Sequence, residues 1–282
     1  MERSFSQLRD VQSLLGVPVI IAGDIFDKWN APAELINFAM GQLNFTCDAY
    51  AIPGQHDLPS HNYDDIRRSA YWTLVEAGLI QNLLPNAPEV LESERGAVEL
   101  CGFPWGYDIK APKKKSKYKR LAVCHSFIYN QRTGYKGAPE SGRVENYQTG
   151  LQGFDAAVFG DNHKGFLTST GNGPTGNLLN CGTFMRRKAD EIRYRPSIGL
   201  LHADFTINRV LLDTEGDQFI SMEEATELVE TAIDLTDFAG ALASLSGDGL
   251  SFVSAVRRFL DRNNITETVR TRVLEAMDNA DD

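Results

Sequence analysis

An α/β fold built as two packed sheets with helices outside is predicted by three observations. Short apolar, β-branched runs recur as strands between residues 18 and 212. Helical periodicity inside that span is confined to a few stretches. Several of the strands end in a glycine or in a ligand-type side chain, the arrangement by which open α/β sheets place chemistry at the carboxyl ends of strands. So many strands with so few helices between them argue against one parallel sheet.

The elements follow in order. Residues 4–15 read as a helix with Phe5, Leu8, Val11 and Leu14-Leu15 on one side. A buried strand at 18–22 carries Val19-Ile20-Ile21, covered on both faces. A helix at 32–43 leads to a short strand, Ala49-Tyr50-Ala51-Ile52, so the opening is βαβ-like. Residues 63–79 contain a further helix. Strands are expected at 97–103, 120–125, 155–160, 177–184, 197–203 and 205–212, with a long polar loop at 129–153. The chain changes character near Thr214-Glu215-Gly216. Ser221-Met222-Glu223-Glu224 is a capping-box start, and helical stripes follow to the end. The expected division is a catalytic domain over 1–212 and a small helical segment over 213–282.

A chain of 282 residues, 42% hydrophobic and 23% charged, is globular in composition and long enough for a sizeable core. Twenty-eight basic against thirty-eight acidic residues give a net charge of −10. That excludes a general nucleic-acid coat and leaves polyanion binding to local basic patches or metal ions. Cys47, Cys101, Cys124 and Cys181 form no C-x-x-C and read as free thiols of a reducing compartment. No apolar run approaches the roughly 20 residues that span a bilayer, and Met1-Glu2-Arg3-Ser4-Phe5 is not a signal peptide. A cytoplasmic protein without membrane association is expected.

Four stretches carry the chemistry. Gly23-Asp24-Ile25-Phe26-Asp27 follows the first strand; Asp24 emerges at its tip, and Asp27 is placed to fix the turn. Gly54-Gln55-His56-Asp57 ends the second. Leu121-Ala122-Val123-Cys124-His125 delivers a histidine at a strand tip, and Val158-Phe159-Gly160-Asp161-Asn162-His163 repeats strand, glycine, ligand types. A lone histidine on a strand is ordinarily structural. Three at such ends, most of them in step with a glycine-bearing turn, point to a metal site of mixed oxygen and nitrogen donors, suited to Mn²⁺, Fe or Zn²⁺ rather than Ca²⁺.

This order of motifs resembles that of the calcineurin-like metallophosphoesterases: Gly-Asp-x-x-Asp, Gly-Asn-His-Asp, His, Gly-His-x-His. The resemblance runs from residue 18 to about 205 and is strongest to the SbcD-type DNA repair nucleases, their phage-encoded members above all. Ile21-Ala22-Gly23-Asp24-Ile25-Phe26-Asp27 supports it, as do Asn180-Cys181-Gly182-Thr183-Phe184-Met185-Arg186-Arg187 and Arg195-Pro196-Ser197. It implies an α-β-β-α metallophosphoesterase sandwich and a two-metal phosphodiesterase acting on DNA, with Mn²⁺ as the expected metal and Mg²⁺, Fe or Zn²⁺ as alternatives. By the same resemblance Asp24 bridges both metals, Gln55, His125 and Asp161 join it on the second, and His163 joins it on the first. His56 faces the scissile phosphate, with Asp57 orienting its ring. Two cations held in this way clamp an in-line displacement at phosphorus. The implied partners are DNA, an SMC-like ATPase of the SbcC type contacted through the helices after 213, and a second copy of the chain. If the protein is phage-encoded, its place is the host cytoplasm.

The sequence departs from the pattern. Gln55 stands where the family has Asn, and Asp161 where it has the first His of Gly-His-x-His, which shifts preference from zinc toward Mn²⁺ or Mg²⁺. A strand ending in Asp-x-His, which the family places ahead of its first helix, is absent. An incomplete reading frame is the preferred explanation; a naturally reduced, weakly active or inactive protein is the other. His61, Asp64 and Asp65 as substitute ligands are weighed against a solvated loop, which is favoured. Lys110, Lys113, Lys114, Lys115, Lys117, Lys119 and Arg120 form a basic cluster that would seat a DNA backbone near the metals or be a solvated loop. Arg186 and Arg187 are further phosphate contacts, and Tyr129, Tyr135 and Tyr147 candidates for base stacking. A phosphoesterase for small nucleotides or phosphoproteins, and a non-catalytic subunit of the same fold, remain as rival readings.

Overall fold

The computed structural model of the chain describes residues 1–93, 96–169, 176–186 and 191–217, together with Glu267, Arg270, Thr271, Val273 and Leu274. By backbone contacts the chain divides into two units, Met1–Asp217 and Gln218–Asp282. The second unit is described only at those five residues, all helical; the rest of the expected C-terminal helices lies outside the described residues.

The first sheet is parallel. It consists of β1 (Val19–Ile21), β2 (Ala49–Ala51) and β3 (Gln81–Asn82), in the order β1-β2-β3. Ile20 lies opposite Tyr50, and Tyr50 opposite Gln81. Helices α1 (Glu2–Leu15), α2 (Ala33–Gln42) and α3 (Ala70–Glu76) accompany it. α1 stops at Gly16, whose left-handed φ of 61° lets its N–H reach the Gln12 carbonyl at 2.8 Å. Leu14, expected on the apolar side, is 85% exposed. Buried Gln12 instead ties the helix down, donating to the Val17 carbonyl and accepting from Thr46. The helix expected within 63–79 is α3, which begins part-way along that stretch. A 3₁₀ segment, Tyr63–Arg68, gives way to α3 at Ser69, which is extended and whose Oγ accepts the Trp72 N–H. A serine able to cap is what starts a helix afresh there.

The second sheet has the order β4-β5-β6-β7-β9-β8. Its strands are β4 (Glu89–Ser93), β5 (Gly96–Phe103), β6 (Lys119–His125), β7 (Ala156–Gly160), β8 (Phe166–Thr168) and β9 (Leu178–Asn180). The central neighbours are parallel, and β4 and β8 pair antiparallel at the two edges. The sequence pattern gave no sign of β3, β4 or β8, which are short or carry charges. An antiparallel hairpin, β10 (Ser197–Leu201) and β11 (Ile207–Leu211), completes the unit.

Period-two alternation sorts the side chains into three cores. Tyr50, Ile52, Leu121, Val123, Val158 and Leu179 form the core between the sheets, which Phe205 and Ile207 of the hairpin region close. Val19, Ala49 and Ala51 point the other way, into a core with Phe26, Leu43 and Leu74. Ala122, Cys124, Ala157 and Phe159 face outward from the second sheet onto Ile128 and Leu151. The mixed α/β sandwich is therefore present, with one difference. The outer layer over the second sheet is mainly the 126–154 segment, in which α4 (Val144–Tyr147) is the one α-helix. All four cysteines are free thiols. Among the described residues no helix is long and apolar enough to cross a membrane.

A buried ion pair fastens the loop before β6. Arg120 Nε lies 2.7 Å from Glu99 Oε1, with side chains 11% and 12% exposed, and Arg120 also donates to the Lys114 carbonyl. Burial pushes the Glu99 pKa up, but the Ser116 hydroxyl and the Arg120 guanidinium outweigh it, and the net is below the ordinary value of 4.5. A depressed carboxylate contributes stability above its unfolded pKa and loses it as pH falls through the folded one. Glu99→Gln should therefore cost about 3 kcal/mol at neutral pH by urea denaturation, because it strands a buried guanidinium. The gap to the wild type should narrow below pH 4.5.

Candidate metal centre

Parallel pairing brings the carboxyl ends of β1 and β2 together in one sheet and those of β6 and β7 together in the other. Hydrogen bonds join the two pairs, the shortest from His125. His125 Nδ1 lies 2.6 Å from the carbonyl oxygen of Ala22, the residue after β1. A carbonyl only accepts, so Nδ1 carries the proton. Nε2 is thereby left with a lone pair, and it faces Asp24 Oδ2 at 3.2 Å.

Two acceptors at that distance need a proton or a cation between them. Burial of the imidazole lowers its pKa, yet the adjoining Asp24 carboxylate, helped by the Ala22 carbonyl and Asp161, raises it more, and the net is upward. Asp24 moves in the complementary direction: burial raises its pKa, but His125 and the His56 N–H outweigh that, and the net is downward. His125 Nε2 and Gln55 Oε1 are buried atoms without a hydrogen bond. Gln55 turns its amide nitrogen to Asp161 Oδ1 at 3.0 Å. One ligand atom each from Asp24, His125 and Asp161 lie within 4.8 Å of one another. A histidine that donates one nitrogen to a carbonyl and offers the other beside carboxylates has the usual disposition of a metal ligand. The donor set fits a divalent cation held by Asp24, His125, Asp161 and Gln55.

The local backbone is built for this approach. Asp24 (φ 53°) and Asp161 (φ 86°) are left-handed, a conformation that Asp tolerates better than most residues. A Cβ on Gly54 would overlap Asp24 Oδ1, and one on Gly160 would overlap the Ala22 carbonyl. The Gly-x motifs thus keep space clear for neighbouring ligands.

The remaining residues singled out from the sequence are placed as follows. His56 holds Asp24 Oδ1 through its backbone N–H at 3.0 Å, and its ring is exposed at the rim. Asp57 does not reach that ring. It is fully buried and accepts the N–H groups of Ile25, Phe26 and Gly54 at 3.0–3.2 Å, so it ties the β1 turn to the β2 turn. Burial, reinforced by Asp24 and opposed by those N–H groups, raises its pKa to about 6. The first turn is thus held from across the site by Asp57, while Asp27 is exposed. His163 is exposed too and lies outside the cluster. Between it and Asp161, Asn162 is buried and donates to the Ile128 carbonyl, so the turn sends its two flanking residues to different surroundings. The three-residue cluster of Asp24, His125 and Asp161 does not include His163.

The basic candidates move away from the site. Lys114 sits against Arg120 at the start of β6. His125 is at its other end, and seven residues at ~3.3 Å each span roughly 20 Å. The exposed Lys113, Lys114 and Lys115 therefore do not adjoin the metal cluster. Arg186 spends its guanidinium on Asp217 and on the carbonyls of Ile192 and Thr214; Arg187 lies outside the described residues. Tyr129 is buried, and Tyr147 is held by Ser126 and packs on Phe159, which leaves Tyr135 as the exposed tyrosine of that loop. Asp65 pairs with Arg68 and Asn62. Asn180, to which the sequence reading gave no role of its own beyond opening the Asn180–Arg187 motif, is buried and donates to the Asn162 carbonyl.

No protein-family model matches the chain, and no curated protein does. Among solved structures it is similar to TT1561 of Thermus thermophilus, at 12% identity and a TM-score of 0.46, over 74% of this chain and 93% of that one. It is also similar to the calcineurin-like phosphoesterase YfkN from Bacillus subtilis, at 11% identity and a TM-score of 0.42, over 82% and 87%.

Calorimetric titration with Mn²⁺ should find one cation per chain. His163→Ala should leave that binding unchanged, while Gly54→Ala, whose methyl group overlaps Asp24, should weaken it at least about tenfold, since each ligand lost from a site costs that order. Its circular dichroism should stay that of the parent.

Proposed function

We propose that the chain is a metal-dependent phosphoesterase, acting on DNA. The observation that carries the hydrolytic reading is the buried His125 Nε2 beside the Asp24 carboxylate, clustered with Asp161, with the buried Gln55 Oε1 left without a hydrogen bond. These residues sit on the strand tips at which the sequence resembles the calcineurin-like phosphoesterases. Three oxygen donors and one imidazole suit Mn²⁺. When bound, the cation supplies Lewis acidity toward a phosphoryl oxygen.

The protein's own groups do the rest. Ala22 fixes the His125 ring through Nδ1. Asp57 holds the two turns in register, so that Asp24 and the His56 ring keep their spacing. His56, exposed at the rim and anchored by its own N–H to Asp24, is placed to meet a phosphate oxygen or to give a proton to the leaving oxygen. A second cation would need ligands beyond this cluster of Asp24, His125, Asp161 and Gln55.

DNA as the substrate, and an SMC-like ATPase as the partner of the segment after 213, are supported by the sequence resemblance to SbcD-type nucleases. A smaller phosphoester is the second reading, and the distance of the lysine cluster from the site favours it.

The purified chain with Mn²⁺ should hydrolyse blunt duplex DNA or single-stranded DNA faster than p-nitrophenyl phosphate or a phosphoprotein. Asp24→Asn and His125→Ala should each lower the rate by about a hundredfold or more, as loss of a metal-centred term does. Full activity in both variants would sink the proposal, and a preference for the small esters would move the substrate to the second reading.

A further inference from the structure

We infer that the segment after Gln55 forms an aromatic rim on which an unpaired base of the substrate stacks beside the metal cluster. This rests on the phosphoesterase reading and names its substrate more closely: nucleic acid with unpaired bases.

The starting point is a backbone outlier. Ser60 (φ 50°) and His61 (φ 57°) are consecutive left-handed residues, neither of them glycine. Such strain persists only where the surroundings impose it, and it gathers at functional sites. What it secures is the position of one ring. His61 Nδ1 donates to the Gln55 carbonyl at 3.0 Å, on the same residue whose side chain belongs to the metal cluster. The His61 ring meets Trp105 with centroids 5.4 Å apart, tilted by 45°. Trp105 in turn donates its N–H to the carbonyl of Pro53, just ahead of Gly54-Gln55, so the end of β5 is tied to the end of β2.

A second ring pair continues the rim. Tyr63 and Tyr107 meet edge to face at 5.4 Å, and the Tyr63 hydroxyl accepts from Asn82. Trp105 and Tyr63 are half-buried and act as backing; His61 and Tyr107 are exposed. A surface ring in a strained backbone buries little apolar area, so its placement is not explained by stability.

The nearby charges decide what the rim recognises. Asp65 is paired with Arg68, and Asp108 with Lys110. This surface is not a phosphate cradle. Its rings offer what every base can use, a π-face, independent of sequence.

The test is fluorescence anisotropy with a labelled oligothymidylate and with an abasic strand of equal length, both in EDTA so that nothing is hydrolysed. Tyr107→Ala and His61→Asn are the variants; Asn tolerates the left-handed backbone, so the fold is kept while the ring is lost. Each should weaken oligothymidylate binding about tenfold and leave abasic binding unchanged. Unchanged oligothymidylate binding, equal losses on both strands, or no binding of either strand would overturn the inference. Because the assay holds no metal, a failure of the hydrolytic reading would appear separately, as absent Mn²⁺-dependent hydrolysis with the base-dependent difference intact.

Discussion

The hydrogen bond from His125 Nδ1 to the Ala22 carbonyl is the contact on which the site depends. It spans the two sheets at their carboxyl ends, so it sets how closely the tip of β6 approaches the tip of β1. It also decides the tautomer, and with it the direction of the Nε2 lone pair. The approach is possible only because the flanking strand ends carry no Cβ: Gly160 leaves room for the Ala22 carbonyl, and Gly54 for the Asp24 carboxylate. Sheet packing and ligand geometry are thus one constraint. A shift of either sheet that lengthened this bond would also move Nε2 away from Asp24.

Asp57 adds an electrostatic condition. Its pKa of about 6 leaves it ionised in most molecules at neutral pH, although it is fully buried. Three backbone N–H groups hold that charge and draw the β1 and β2 turns together. With Asp24 and Asp161 beside it, the site gathers three carboxylates around one imidazole. A proton on His125 Nε2, or in its place a divalent cation on that nitrogen and the neighbouring oxygens, offsets this excess. The same cation would favour ionised Asp57, so metal binding and the knot between the turns reinforce each other.

Much of this was legible in the sequence because it is written in local pattern. A β-branched run gave β1 and apolar runs gave β2, β6 and β7, and a glycine or ligand type at their ends singled out Asp24, Gln55, His125 and Asp161. What was not legible depends on contacts distant in sequence. Asp57 follows His56 directly, so adjacency suggested that it orients that ring; its true partners, the N–H groups of Ile25 and Phe26, lie some thirty residues earlier. His163 shares its motif with Asp161, but burial of the intervening Asn162 separates them. The lysine cluster directly precedes the His125 strand in the chain, and the length of that strand is what removes it from the site. Arg186 has a phosphate-binding chemistry, yet Asp217 and two carbonyls occupy it.

These relocations change how a polyanion would have to be received. In a chain of net charge −10, Lys113, Lys114 and Lys115 lie towards the far end of β6, and Arg186 is committed to Asp217 and two carbonyls. The edge bearing Asp24 and Asp161 is acidic until a cation is in place. Neutralisation of a phosphate there falls chiefly on that cation rather than on a row of lysines, so counterion release at this edge should contribute less than it does for proteins that grip the backbone. Affinity beyond the reacting phosphate must then come from uncharged contacts. Next to the cluster the described surface supplies them as rings, held by the strained Ser60-His61 backbone and the ends of β2 and β5. On the proposed reading, the placement of charge and the placement of rings are compatible: one phosphate would be met by metal, and its neighbours by their bases.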